Sequence, residues 1–136
     1  MRYVVISTLQ IFVLAVCLSF ISSNSNYAAA GESLDGKTFS IEVTEKDKSE
    51  STNDELVFKE GTFFSTDCEQ YGFGSAPYES KSKGDTTMFK STLTSDKEGK
   101  AEWEGKVQGD DIAGTFIWSK AGQDQIIYTY KGSLKK

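Results

Sequence analysis

Apolar and polar residues alternate along most of the chain from residue 37 onward, with the period of two that is typical of a half-buried β-strand. In the segment 37–44, Phe39, Ile41 and Val43 share one face, and polar residues occupy the other. Alternation returns at residues 56–58, 86–93, 100–107, 112–118 and 126–134, and further short strands are predicted at 62–66 and 78–81. The pattern predicts an all-β domain of about eight short strands, with a helical turn at 67–71.

The turns and the inward glycines predict how these strands are arranged. Short connections such as the Gly109-Asp110 turn favour antiparallel pairing of strands that are neighbours in sequence. Gly105 lies on the same predicted face as Trp103, and Gly114 lies on the same face as Phe116. Inward glycine allows sharp curvature and leaves room for a large ring in a closed sheet. Because closure also removes exposed strand edges, we predict an antiparallel up-and-down β-barrel rather than an open sandwich.

Two segments interrupt the alternation. Residues 45–54 are wholly polar, which predicts a solvated loop. The run 47–53 mimics the early ligand spacing of a calcium loop, but Thr52 stands where the glycine belongs and Phe58 where the bidentate glutamate belongs. We therefore predict no metal site there. Residues 67–77 hold two glycines, a proline and a cysteine, and predict a structured loop.

The first thirty residues differ from the rest of the chain. A basic residue precedes an apolar run from Val4 to Ile21, and the small residues 28–30 follow. This order is the signature of a secretory signal peptide, although a retained membrane anchor and lipid attachment at Cys17 are alternative interpretations. We predict a signal peptide at 1–30 and one domain at 31–136, which is exported to the periplasm or secreted.

Charge and residue usage narrow the possible functions. The chain has 136 residues, 20 acidic against 15 basic side chains, and no histidine. An acidic domain is a poor candidate for binding nucleic acid or an anionic membrane surface, so we expect no membrane insertion after cleavage. Without histidine, the usual nucleophile pairs and ordinary zinc or copper sites are excluded. We therefore expect that the protein is not an enzyme and that it has no catalytic residues, cofactor or metal.

Aromatic residues at predicted inward positions are the best candidates for a binding site. They are Trp103, Phe116, Trp118, Tyr128 and Tyr130. An eight-stranded barrel is wide enough either to be filled by side chains or to hold one small ligand, so these residues form either filled core or a ligand cup. Buried Tyr and Trp need partners for their polar ends, which favours the cup. The leading hypothesis is therefore a non-enzymatic domain that binds a small apolar or aromatic molecule.

The loop 67–78 favours an alternative hypothesis. In this hypothesis the chain is an interaction or structural protein of the envelope and binds a protein partner through the loop; the sequence does not identify the partner. Binding residues are often carried on loops of a rigid scaffold, and the candidates here are Cys68, Tyr71 and Phe73. Acidic neighbours on both sides of Cys68 are expected to raise the pKa of its thiol and reduce its reactivity.

Part of this pattern resembles a known group of proteins. The run Trp103–Trp118 contains the motif Gly-Asp-x-Ile-x-Gly-x-x-x-Trp and resembles uncharacterised small exported bacterial proteins. The segments 56–63 and 68–73 share that resemblance. At the level of fold, the motif is similar to lipocalin-like and avidin-like β-barrels. The resemblance covers about residues 35–134; it implies a barrel and identifies no ligand-binding residue.

Overall fold

The computed structural model describes residues 31–136, in which eight strands form one closed antiparallel barrel. The strands are β1 (Thr38–Glu45), β2 (Ser51–Lys59), β3 (Thr62–Ser65), β4 (Ala76–Lys83), β5 (Thr86–Ser95), β6 (Gly99–Gln108), β7 (Asp111–Ser119) and β8 (Ile126–Leu134). A helical turn, α1 (Thr66–Glu69), follows β3. No helix in this part of the chain is long and apolar enough to cross a membrane. The predicted signal peptide and Cys17 lie outside the described residues.

Each strand pairs with its neighbours in sequence, and β1 pairs with β8 to close the barrel. At the closure, Ile41 lies opposite Gly132 and Val43 lies opposite Tyr130. The short connections explain this order, because a tight turn brings consecutive strands together in antiparallel orientation. The predicted all-β fold, an up-and-down barrel of about eight short strands, is confirmed.

Large side chains at inward positions fill the middle of the barrel. Trp103 is 1% exposed, and Phe39, Phe58 and Phe63 are fully buried. Phe58 packs edge-on against Phe89, with 4.9 Å between the ring centroids. The middle of the barrel is therefore filled by side chains, which is one of the two arrangements, filled core or ligand cup, expected for eight strands.

Gly105 and Gly114 lie opposite each other on β6 and β7 and make room for Tyr130 of β8. The Tyr130 hydroxyl donates a hydrogen bond to the carbonyl oxygen of Glu104 at 2.8 Å. A Cβ atom on Gly114 would lie 2.6 Å from that hydroxyl, closer than atoms that are not bonded approach. The inward glycines thus accommodate an aromatic ring, as the sequence predicts.

The segment 31–36 covers one end of the barrel. Leu34 is buried and belongs to the core. The Asp35 carboxylate accepts hydrogen bonds from the Tyr78 hydroxyl at 2.8 Å and from the Gly61 N–H at 3.0 Å. Both hydrogen bonds lower the pKa of Asp35, and the one from Tyr78 has the larger effect. They attach the segment to β4 and to the β2–β3 turn.

The prediction of a solvated loop over residues 45–54 is wrong in its second half, because β2 begins at Ser51 and pairs with β1. The start of β2 extends beyond the packed core, and its inward residues Thr52 and Asp54 line a cavity. Polar side chains are therefore compatible with a strand here. The calcium-like run 47–53 is divided between a turn and this strand. Residues 31–136 contain no group of three or more His, Cys, Asp or Glu that could hold a metal ion.

Candidate functional site

A cavity of about 440 Å³ opens at the end of the barrel opposite Leu34. It lies where the β1–β2, β3–β4, β5–β6 and β7–β8 connections meet. Six residues of the two sequence-predicted sets line it, namely Phe116, Trp118, Tyr128, Cys68, Tyr71 and Phe73. The aromatic set and the loop set, which the sequence presents as alternatives, therefore belong to one place.

Other hollows in this part of the chain are larger but lie mainly over outward-facing side chains. One of them, of about 890 Å³, includes Glu42, Asn53 and Lys131 among its lining residues and is more open to solvent. The cavity at the barrel end instead has inward-facing aromatic rings in its wall. It is therefore the candidate binding site.

A stack of three aromatic rings leads from the core to the cavity wall. Phe116 on β7 lies opposite Trp103 on β6 and Tyr128 on β8. The ring centroids of Trp103 and Phe116 are 4.0 Å apart with planes at 19°, and those of Phe116 and Tyr128 are 4.5 Å apart at 11°. Trp103 and Phe116 are paired across the hairpin that the Gly109-Asp110 turn closes. Tyr128 is the outermost ring of this stack.

Trp118 is fixed at the cavity wall by contacts to the β5–β6 turn. Its Nε1 donates a hydrogen bond to the carbonyl oxygen of Glu98 at 2.7 Å. The Glu98 carboxylate in turn accepts from Lys120 Nζ at 3.2 Å. The indole is thereby held in one position while it remains partly exposed, which suits a surface against which a ligand packs.

Trp103 and Tyr130 do not line this cavity but lie in the core beneath it. Tyr130 is 3% exposed; burial, followed by the charge of Glu104, raises its pKa well above the usual range. The Nε1 atom of Trp103 has no hydrogen-bond partner among the described residues. Of the five predicted aromatic residues, two thus form core, Phe116 lies at the boundary, and Trp118 and Tyr128 form cavity wall.

Cys68 is presented to the cavity by α1, which forms because Ser65 caps it. The Ser65 hydroxyl accepts a hydrogen bond from the Cys68 N–H at 3.2 Å, an N-cap contact that satisfies one of the free donors of a helix start. Burial raises the pKa of the Cys68 thiol to about 11, and the negative charges of Asp54 and Asp67 add to the rise. The predicted effect of acidic neighbours is present for Asp67, but desolvation is the larger cause.

Tyr71 and Phe73 have different roles within the loop after α1. Phe73 is 4% exposed and packs into the core, whereas Tyr71 is 55% exposed. The carbonyl oxygen of Tyr71 accepts a hydrogen bond from the Ser95 hydroxyl at 2.8 Å, which joins the loop to the end of β5. Tyr71 is therefore a large aromatic side chain at the rim of the cavity, supported by a loop that Phe73 anchors.

Asp54 is a residue of the cavity wall that the sequence reasoning missed. It is 8% exposed, and its carboxylate accepts hydrogen bonds from the Ser65 hydroxyl, the Thr66 hydroxyl at 3.1 Å and the Asp67 N–H at 2.9 Å. The alternation contained a signal for it, because two-residue steps back from Phe58 reach Asp54 on the inward face.

Comparisons with known proteins assign this site no family. The chain matches no protein-family model, and no curated protein or solved structure is significantly similar to it. Chemically, the cavity offers aromatic surface, a weakly reactive thiol and carboxylates.

Proposed function

We propose that this protein is an exported, non-enzymatic barrel that binds one small, partly apolar molecule in the cavity at the barrel end. The observation that carries the proposal is the convergence of Trp118, Tyr128 and Tyr71 on this cavity, with Phe116 at its floor. Ligand sites are usually clefts of about 300–1,000 Å³ with mostly apolar walls and a few oriented polar groups. A volume of about 440 Å³ falls within that range.

The packed core below the cavity supports binding at this end. A preorganised site binds more tightly because less side-chain freedom is lost when the ligand arrives. Phe116 is held between the Trp103 and Tyr128 rings, and Trp118 is held by its hydrogen bond to Glu98. Two walls of the cavity are therefore fixed before a ligand enters, and a flat ligand ring can pack against them.

The chemistry of the cavity supports binding without catalysis. The thiol of Cys68, with a pKa of about 11, is protonated at neutral pH, and thiols react as thiolates. The Asp54 carboxylate is occupied by hydrogen bonds from neighbouring hydroxyl and N–H groups. With no histidine in the chain, the common partner for general acid–base work is missing.

Export is part of this proposal and has its own test. The order of a basic start, an apolar run and Ala28–Ala30 supports a cleaved signal peptide. Mass spectrometry of the native protein should find Gly31 as the first residue. An intact Met1 terminus, or a lipid on Cys17, would contradict cleavage at this position.

Ligand binding is tested by tryptophan fluorescence, because the chain has two tryptophans in different environments. The variant Trp103→Phe keeps Trp118 at the cavity wall, and the matched variant Trp118→Phe keeps Trp103 in the core. Short-chain envelope lipids and aromatic metabolites are titrated into both. A true ligand should shift or quench the emission of Trp118 much more than that of Trp103. A panel without any response from Trp118 would contradict the proposal.

The exposure of Tyr71 favours a second candidate, an interaction surface for a protein partner in the envelope. Tyr71 is 55% exposed, and exposed tyrosine is enriched where proteins meet. Phe73 is buried, so it would support the loop without touching the partner. Capture of a stoichiometric partner from the native envelope, lost in Tyr71→Ala while small-molecule titrations stay silent, would favour this candidate over the first.

A further inference from the structure

We propose that the ligand of this cavity is an organic cation, an amine or ammonium group carried on an apolar or aromatic body. This inference rests on the proposed binding function and adds the charge of the ligand. The residues that line the cavity include three carboxylates, those of Asp54, Asp67 and Glu98, and no lysine. An anionic ligand would meet repulsion from Asp54 and Asp67, which have no lysine partner in the described part of the chain.

The lysines at this end of the barrel do not neutralise Asp54 and Asp67. Lys48 pairs with Glu45 at 2.8 Å, and Lys120 pairs with Glu98 at 3.2 Å. In residues 31–136, no salt bridge reaches Asp54 or Asp67. Two carboxylates of the cavity wall therefore lack a cationic partner from the chain itself.

The whole rim around the cavity is acidic. The segments that form this end of the barrel carry nine carboxylates and four lysines: residues 45–54, 66–75, 96–98 and 120–125. A concave site lined by one sign of charge concentrates ligands of the opposite sign. The charge of the rim thus acts in the same direction as the charge of the cavity wall.

Asp54 gives this charge a fixed position inside the cavity. The side chain is 8% exposed, and it is oriented by neutral donors, the Ser65 and Thr66 hydroxyls and the Asp67 N–H. Such donors satisfy the oxygen atoms but leave the negative charge in place, and a charge removed from water is costly unless a countercharge accompanies it. A bound cation supplies that countercharge.

The aromatic walls complete a site for a cation with an apolar body. Ammonium groups bind over the faces of Trp and Tyr rings, and the contact gains strength when water is excluded. Trp118 and Tyr128 both line the cavity. Carboxylates and aromatic rings that line one cavity can therefore recognise the charged and the apolar parts of one molecule together.

Calorimetric titration of the protein with three matched compounds tests this inference. The probes are 4-phenylbutylamine, 4-phenylbutanol and 4-phenylbutyrate, which share the ring and chain and differ in charge. We expect the amine to bind at least about tenfold more tightly than the alcohol, as one charge pair near a protein surface allows, and the acid to bind most weakly. Raising the salt concentration from about 0.05 M to about 0.5 M should reduce the preference for the amine.

Three variants assign the preference to the cavity. Asp54→Asn should weaken the amine about tenfold and leave the alcohol unchanged, and Asp67→Asn, at an exposed position, should act in the same direction. Asp85→Asn, in the β4–β5 turn at the far end of the barrel, removes the same net charge and should leave the amine unchanged. If Asp54→Asn fails to fold, as judged by circular dichroism, the contrast between Asp67→Asn and Asp85→Asn decides.

The outcomes separate this inference from the binding function on which it rests. Equal binding of all three compounds would overturn the cation preference and leave a ligand cavity. No binding of any compound would overturn both. An equal loss in Asp67→Asn and Asp85→Asn would show that the preference comes from the overall charge of the protein, and the assignment to this cavity would be wrong.

Discussion

Replacement of Trp103 by alanine tests whether the middle of the barrel is a packed core. Trp103 is 1% exposed, and a buried aromatic side chain of this size removes about 200 Å² from water. At about 25 cal/mol per Å², that burial stabilises the fold by about 5 kcal/mol. Emptying such a site costs about 3–5 kcal/mol, with the value depending on how far the neighbours collapse into the space.

Two local features change this value in opposite directions. Truncation removes the stacking of Trp103 on Phe116 at 4.0 Å, a contact of about 0.5–1.5 kcal/mol. It also removes an indole Nε1 that has no partner among the described residues, and loss of an unpaired buried donor regains about 1 kcal/mol. We therefore expect a net loss of about 3–5 kcal/mol, a large part of the 5–15 kcal/mol typical of a domain.

Urea unfolding followed by far-ultraviolet circular dichroism measures this loss without relying on the deleted fluorophore. Trp103→Phe is the matched control, since it keeps a ring against Phe116 and should lose less than half as much stability. A loss below about 1 kcal/mol for Trp103→Ala, the level of surface substitutions, would refute the packed core at this position.

Three further predictions concern neighbouring parts of the same structure. Gly114→Val should destabilise by about 1–3 kcal/mol or more through overpacking, because the new side chain would clash with the Glu104 carbonyl oxygen and the Tyr130 hydroxyl. Ala113→Val, at the exposed position beside it, should be nearly neutral in the same urea melts. Asp54→Ala should cost about 1–3 kcal/mol, because it leaves the buried Ser65 hydroxyl without its acceptor; an unchanged melting temperature would contradict this. Folding raises the pKa of the Cys68 thiol from 9.0 to about 11, so the folded state favours the protonated thiol. The stability that this preference contributes is therefore fully present below pH 9 and is lost as the pH rises toward 11. At pH 8 this thiol should react with a small alkylating reagent about 100-fold more slowly than an unfolded control, and equal rates would show that the thiol is not shielded.

The fold could be predicted because the alternation in the second half of the chain is nearly unbroken. In β5 the inward residues Thr87, Phe89, Ser91 and Leu93 are all buried, as their period-two spacing predicts. Two of these four are polar, so the period carries more information than the hydrophobicity of any one position. Short turns then leave few ways to pair the strands other than in sequence order.

The start of β2 could not be predicted in the same way. The residues 51–54 carry no apolar side chain, so the polar composition indicated a loop. They form a strand because their main chain pairs with β1 at a level where the barrel surrounds a cavity. The polarity of inward side chains depends on what the strand faces, and the start of β2 faces the cavity of the candidate site.

The site could be predicted only in part, because alternation gives the face of a residue but not its depth along the barrel axis. Trp103 and Tyr130 are inward-facing like Phe116 and Tyr128, yet they lie in the filled core. The meeting of the loop that carries Cys68 with the ends of β7 and β8 is likewise a consequence of barrel closure. No local sequence signal indicates that these distant segments share one cavity.

The most direct test of a ligand cavity at this end of the barrel is amide chemical-shift mapping by NMR during titration with 4-phenylbutylamine. The binding proposal predicts saturable shifts confined to the cavity end, at Tyr71, Glu98, Trp118 and Ile126, with little change around Gly61 and Asp85 at the far end. Shifts scattered over the outer face of the sheet, or none at all while the protein remains folded, would contradict it.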